Sequence, residues 1–255
     1  METHSLLRLD DLKEYFKDKT VFTINDLRQY YQRIDTSFNE SAFKWKIHAI
    51  QKKEFLRTVK RGVYTFQSGS RLLYQPGISS RLKKKYKEIK KEFPYTGCCI
   101  WETLWLNELM NHQPGHFMDL LEVENEAAQS VFYFLQQQDE KDKIYFKPSD
   151  KEIEQYIASN RQSTIIRTLL TQAPTQEQEG IRIPKLEKIL VDLFIDRSLF
   201  IAYQGQELIT IFKNAYRQFP VNISTLFRYA QRRKKKDQLT DFILKNEIIP
   251  GELID

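Results

Sequence analysis

The stretch from Val21 to Phe66, VFTINDLRQYYQRIDTSFNESAFKWKIHAIQKKEFLRTVKRGVYTF, constrains the fold more tightly than any other part of the chain. It reads as helix, turn, helix and short hairpin. That is the order of a winged helix-turn-helix, which sets one helix into the major groove of DNA and lays a β-hairpin against the backbone. A preceding helix is expected from about Leu6 to Phe16, where Leu6, Leu9, Leu12 and Phe16 recur at helical spacing. Thr23 can cap the second helix, with Asp26 placed in its first turn. Ile24, Leu27 and Tyr31 form its inner stripe, and the turn falls over Arg33 to Phe38.

The third helix is expected to begin near Asn39 and to run to about Lys53. At 100° per residue, Phe43, Ile47 and Ile50 share its core face. The opposite face carries Lys44, His48, Gln51 and Lys52, with Ser41 nearer the N-terminus. An apolar seam backed by basic, hydrogen-bonding side chains suits entry into a groove. Trp45 lies at the border; burial under the hairpin is the favoured reading and stacking near sugar-phosphate the other. The hairpin follows as strand 55–59, turn Lys60-Arg61-Gly62 and return strand 63–66. Gly62 is suited to the positive φ of a tight turn. Arg57, Lys60 and Arg61 are the expected phosphate or minor-groove contacts. The DNA-binding candidates are therefore Ser41, Lys44, His48, Gln51, Lys52, Arg57, Lys60 and Arg61.

Residues 67–77 carry turn formers and read as a linker. Ser79 or Ser80 then caps a lysine-rich helix with Leu82, Tyr86, Ile89 and Phe93 on one face. Seven basic and two acidic residues lie between Arg81 and Glu92. This helix either adds phosphate contacts or docks on the second domain with a solvated outer face. From Tyr95 onward short strands alternate with helices: strands near 97–100, 116–122, 143–146 and 164–168, and helices over 102–110, 125–138 and 149–158. The last third is helical over 185–192, 206–219, 223–233 and 238–244. The expected fold class is α+β: a winged helix-turn-helix over 1–68, a linker and basic helix over 69–94, and a mixed α/β domain over 95–255 that ends in a helical bundle.

Charge is uneven along the chain. Residues 1–94 hold 21 Lys/Arg against 11 Asp/Glu, and the remainder 19 against 23, so +10 is joined to −4. That asymmetry suits a nucleic-acid module attached to a regulatory part. The two cysteines, Cys98 and Cys99, are adjacent and ill placed for a mutual disulfide, which fits a reducing, cytoplasmic setting. The N-terminal residues lack the apolar core of a signal peptide, and no run of residues is apolar enough to span a membrane.

Catalytic patterns are missing from the sequence. It has no phosphate-binding glycine loop, no nucleophile elbow and no paired-cysteine zinc pattern. His112 and His116 flank Pro114-Gly115 without nearby metal-ligand spacing. Asp119, Glu122 and Glu124 imitate the carboxylates of a magnesium nuclease, but the lysine that completes such a set does not follow. Asp119 and Glu124 would also point to opposite sides of a strand. No cofactor, metal or catalytic residue is expected.

Lys60-Arg61-Gly62-Val63-Tyr64, the Thr96-Gly97 step, PKLEKILVDL over 184–193 and NISTLFRYA over 222–230 occur in that order. In this the chain resembles the AbiEi-type antitoxin and transcriptional-regulator family of type IV toxin–antitoxin systems, from about Thr20 to Leu244. Residues 117–175 depart from that family's pattern. The resemblance implies a non-enzymatic autorepressor that binds inverted repeats in double-stranded promoter DNA. It also implies an antitoxin that counters a nucleotidyltransferase-type toxin without requiring a direct complex, with Glu187 and Asp192 as scaffold residues. The competing readings are a nuclease-like effector with a winged-helix targeting domain, and a protein-interaction module.

Overall fold

In the computed structural model the described residues are 7–17, 19, 21–35, 38–52, 55–60, 62–66, 73–138 and 143–249, with the backbone alone for 52, 57, 59 and 60. The chain is a mixed α+β protein with a helical C-terminal region, as expected at that level. The N-terminal unit runs α1 (Leu9–Tyr15), β1 (Phe22–Thr23), α2 (Ile24–Ile34), α3 (Glu40–Lys52), β2 (Leu56–Lys60) and β3 (Val63–Phe66). Its strands form an antiparallel sheet in the order β1-β3-β2, with Phe22 and Thr58 both opposite Tyr64. Gly62 adopts φ +78°, and its carbonyl accepts the Ile24 amide at 2.7 Å, so the hairpin turn is fastened to the start of α2. Leu9, Leu12, Phe16, Leu27, Tyr31, Phe43, Ile47 and Ile50 are buried in one small core. Leu6 lies outside the described residues, while Leu7 is buried, and the Tyr31 hydroxyl donates to its carbonyl at 2.9 Å.

The start of α2 is a reciprocal cap. The Asp26 amide donates to Thr23 Oγ1 at 3.1 Å, and the Thr23 amide donates to Asp26 Oδ2 at 2.7 Å. That backbone hydrogen bond holds the Asp26 carboxyl below its ordinary range. Thr23→Ala removes one half of this cap. It is expected to destabilise the N-terminal unit by about 1 kcal/mol, read as an earlier loss of helical signal on heating. An unchanged melting curve would show that the cap is redundant.

The second unit begins with an extended run, 73–79, that is strapped down rather than loose. The Gln176 and Gln178 side-chain amides donate to the Tyr74 and Pro76 carbonyls at 3.0 and 2.8 Å. Then come α4 (Ser80–Glu92), β4 (Cys98–Glu102), a 3-10 helix (Thr103–Leu109), β5 (Phe117–Val123), α5 (Asn125–Gln138), β6 (Ile144–Phe146), a helical stretch over 150–157 and β7 (Gln162–Thr168). The sheet order is β4-β5-β7-β6; β4 pairs antiparallel with β5, and β5, β7 and β6 run parallel. A hairpin of β8 (Thr175–Gln178) and β9 (Ile181–Pro184) follows, unforeseen from the sequence. Helices α6 (Leu186–Ile195), α7 (Gln206–Gln218), α8 (Ile223–Arg232) and α9 (Lys236–Lys245) close the chain.

Helix α4 is docked. Leu82, Lys85 and Ile89 are buried against the sheet, while Lys84, Lys87 and Lys91 face solvent. The two units also touch. Strand β2 lies against α8, and Val21 and Val63 pack on the larger core.

Candidate nucleic-acid interface

Helix α3 is held at both ends. At its start, Asn39 Oδ1 accepts the Ser41 amide at 2.8 Å, and Arg28 of α2 pairs with Glu40 at 3.0 Å. The guanidinium, hydrogen-bonded to Glu40, holds that carboxyl below the usual range. Lys46 reaches Asp35 at 3.2 Å and lies 5.0 Å from the centre of the Tyr31 ring. Toward the C-terminal end, the Gln51 amide donates to the Thr58 hydroxyl of β2 at 2.7 Å.

Between these braces, Ser41, Lys44, Trp45 and His48 are exposed on one stripe, at spacings of three and four residues. Lys44 and His48 make no hydrogen bond or ion pair among the described residues. Arg28 and Lys46 have carboxylate partners at contact distance, whereas Lys44 only adds its charge to that of Arg28 in lowering the Glu40 carboxyl, and it projects outward with His48. Trp45 is 53% exposed, against the expectation of burial. It shares the stripe of Ser41 and His48, opposite Phe43, Ile47 and Ile50, and β2 does not cover it. Gln51 also departs from expectation: it is half-buried and spends its amide on the hairpin instead of projecting with Lys44 and His48. Lys52 lies in the last turn of α3, and Arg57 and Lys60 in β2, with no side-chain description; Arg61 lies outside the described residues.

Of the acids that imitate a nuclease, Asp119 and Glu122 are engaged elsewhere, while Glu124 is exposed. Asp119 and Glu102 are neighbours across β5 and β4. The Arg81 guanidinium donates to Asp119 at 2.9 and 2.7 Å and to Glu102 at 2.9 Å. Lys85 adds a contact of 3.4 Å to Asp119 and donates to the Thr164 hydroxyl at 2.7 Å. Burial, reinforced by the Asp119 charge, raises the Glu102 carboxyl above its usual range. Glu122 belongs to a second cluster. There Lys188 bonds Glu122 and Asp192, each at 2.6 Å, and Arg167 reaches Glu122, Asp192 and Asp196. Arg233 binds Asp192 and Asp196, both at 2.6 Å, and the Tyr229 hydroxyl donates to Asp192 at 3.1 Å.

A cavity of about 270 Å³ opens beside this cluster, lined by Glu122, Arg167, Asp196, Tyr229 and Arg233 among others. The three carboxylates, Glu122, Asp192 and Asp196, are matched by three cations, Lys188, Arg167 and Arg233. Asp119 is fully buried and Glu122 nearly so, each held in ion pairs with neighbouring cations. Among the described residues, no group of three or more His, Cys, Asp or Glu side chains is placed to hold a metal ion. His112 instead contacts Glu207 at 2.7 Å, at the surface. Both cysteines are free and buried, and burial pushes the Cys98 thiol up to about 12.

A match to a family of unknown function, DUF6577, covers residues 42–249. The chain belongs to that family. No curated protein matches it. The DUF6577 span takes in Lys44, Trp45 and His48 of α3, the hairpin and the whole second unit. It therefore holds three of the four residues of the exposed stripe, Ser41 lying just before it, and both ion clusters.

The DUF6577 residues that sequence reading missed are Arg81, Lys85, Arg167, Lys188 and Arg233. Each looks like an ordinary surface cation in sequence. Only Lys188 and Asp192, four residues apart on one helix, gave a local sign of pairing.

Proposed function

We propose that this chain is a DNA-binding transcriptional regulator whose N-terminal unit is a winged helix-turn-helix, with α3 as the groove helix and the β2–β3 hairpin as the wing. One observation carries this reading: the outward, solvent-exposed stripe Ser41, Lys44, Trp45 and His48 on a helix braced at both ends. A braced helix presents its side chains at fixed positions, as base-edge recognition requires. Lys44 supplies charge, Ser41 and His48 supply hydrogen bonds, and Trp45 supplies an apolar plane.

The resemblance to AbiEi-type antitoxins extends the reading to biology. The chain would repress its own operon through inverted repeats in promoter DNA, inside the cytoplasm. It would counter a neighbouring nucleotidyltransferase-type toxin without a stable complex. The second unit would serve antitoxicity and not catalysis. Among the described residues no helix is long and apolar enough to cross a membrane.

Binding of the full chain to a fluorescent mixed-sequence duplex across a salt series tests the DNA-binding part. The expected result is affinity that falls steeply with salt, with a log–log slope of about −0.9 per phosphate contacted. Neutralising Lys60 and Arg61 together should flatten that slope by up to about two phosphates' worth and leave sequence preference intact. Absence of duplex binding at low salt would remove the proposal.

A further inference from the structure

The densest run of positive charge in the chain is Arg232-Arg233-Lys234-Lys235-Lys236, the turn between α8 and α9, with Arg228 exposed one helical turn before it. Lys235 is half-buried, and Arg232 donates to the Thr171 hydroxyl; Arg233 is drawn inward, bonded to Asp192 and Asp196. That tether fixes the turn to the buried ion cluster, and the turn is further shaped by its backbone. Lys234 adopts φ +55°, and the Lys235 amide donates back to the Ala230 carbonyl at 2.9 Å. This is a helix-ending bend at which glycine is the usual residue, because a Cβ there crowds the following carbonyl. The chain instead carries lysine there, and Lys234 and Lys236 are exposed. The first acid after the run is Asp237.

Position gives this charge its meaning. Helix α8 lies against β2, the first strand of the hairpin, and β2 also touches α3. A ten-residue helix is about 15 Å long. The basic turn at its C-terminal end therefore lies at most about one helix length plus one packing distance from β2, on the order of 25 Å, which is less than one turn of duplex DNA at roughly 34 Å.

We propose that the α8–α9 turn is a second backbone-contacting surface for duplex DNA, with Lys234, Lys235 and Lys236 meeting phosphates beyond those reached by α3 and the hairpin. This rests on the DNA-binding reading above and adds that the second unit takes part in binding. Clustered ammonium groups along a turn suit a repeating phosphate chain rather than one small anion.

The test compares three full-length variants with wild type on a mixed-sequence duplex over a salt series. The first carries Lys234→Gly, Lys235→Ala and Lys236→Ala; glycine suits the positive φ, and a melting curve checks the fold. The second removes equal charge elsewhere, through Lys84→Ala, Lys87→Ala and Lys91→Ala on the outer face of α4. The third carries Lys44→Ala and His48→Ala. The turn variant should lose about two to three units of salt slope, while the α4 variant keeps the wild-type slope. An unchanged slope in the turn variant, or an equal fall in both lysine variants, overturns the proposal while leaving the α3 reading standing. An unaltered α3 variant beside a flattened turn variant overturns the α3 reading and keeps this one. Wild-type protein that binds no duplex at low salt overturns both.

Discussion

Replacing Lys44, Trp45 and His48 together by alanine is expected to abolish sequence preference while leaving the protein folded. All three side chains point away from Phe43, Ile47 and Ile50, so the small core keeps its packing. A well-placed base contact is worth roughly 1–3 kcal/mol. Three such losses reduce preference for a selected duplex by two orders of magnitude or more, down to the affinity for random sequence. Gln51 is left unchanged because its bond to Thr58 holds α3 on the hairpin, and removing it would confuse recognition with stability. The check is competition between a duplex enriched from a random pool and a scrambled one. Retention of full preference by the triple variant would place recognition elsewhere.

The second large effect concerns stability. Lys188 is fully buried, with both of its carboxylate partners. Lys188→Met leaves Glu122 and Asp192 buried with less positive charge than they were built for. Breaking a buried pair from one side costs about 3–5 kcal/mol, and urea unfolding should show a loss of that size. Trp101, whose indole nitrogen lies 3.4 Å from Glu122, is a fluorescence reporter beside the cluster.

The same cluster sets acid sensitivity. Burial pushes the Glu122 carboxyl up, but Lys188 and Arg167 outweigh it and hold it at about 2. A depressed carboxyl adds stability that is fully present above its unfolded value of about 4.3. That stability is lost as pH falls toward 2. In Lys188→Met one of the two cations is gone, so acid unfolding should begin at higher pH than in wild type. A variant with wild-type urea and acid midpoints would mean that the cluster is not a stabilising tie.

Local sequence carried the N-terminal unit well because its elements follow one another with short connections. Thr23 and Asp26 mark the cap, Gly62 marks the turn, and the apolar spacing of α3 marks its buried face. Trp45 was misread because its size suggests burial, whereas its place on the helix decides its exposure. The β8–β9 hairpin escaped because Thr175–Gln178 is a polar strand with no apolar alternation. Its turn, Glu179-Gly180 with φ +53° and +73°, uses glutamate where asparagine or aspartate is the familiar signal. The docking of α4 could not be read locally either. Arg81 finds Asp119 38 positions away, and Lys188 finds Glu122 66 positions away. Such pairings follow from the tertiary fold, and a lysine that completes them looks like any surface lysine in sequence.

The exposed face of α3 was legible from helical spacing, and its composition only in part. Ser41, Lys44 and His48 stand where spacing put them. Gln51 is drawn onto the hairpin by a hydroxyl that helical periodicity cannot foresee.

The most direct measurement is site-specific photo-crosslinking of the full chain to duplex DNA. A photoreactive residue placed at position 45 is compared with the same residue at position 133. Trp45 and Tyr133 are similarly exposed, at 53% and 51%, but lie on α3 and α5. The account predicts strong, salt-sensitive crosslinks to bases from position 45 and none above background from position 133. Crosslinking from position 133 alone, or from neither position under conditions where the duplex is bound, would contradict it.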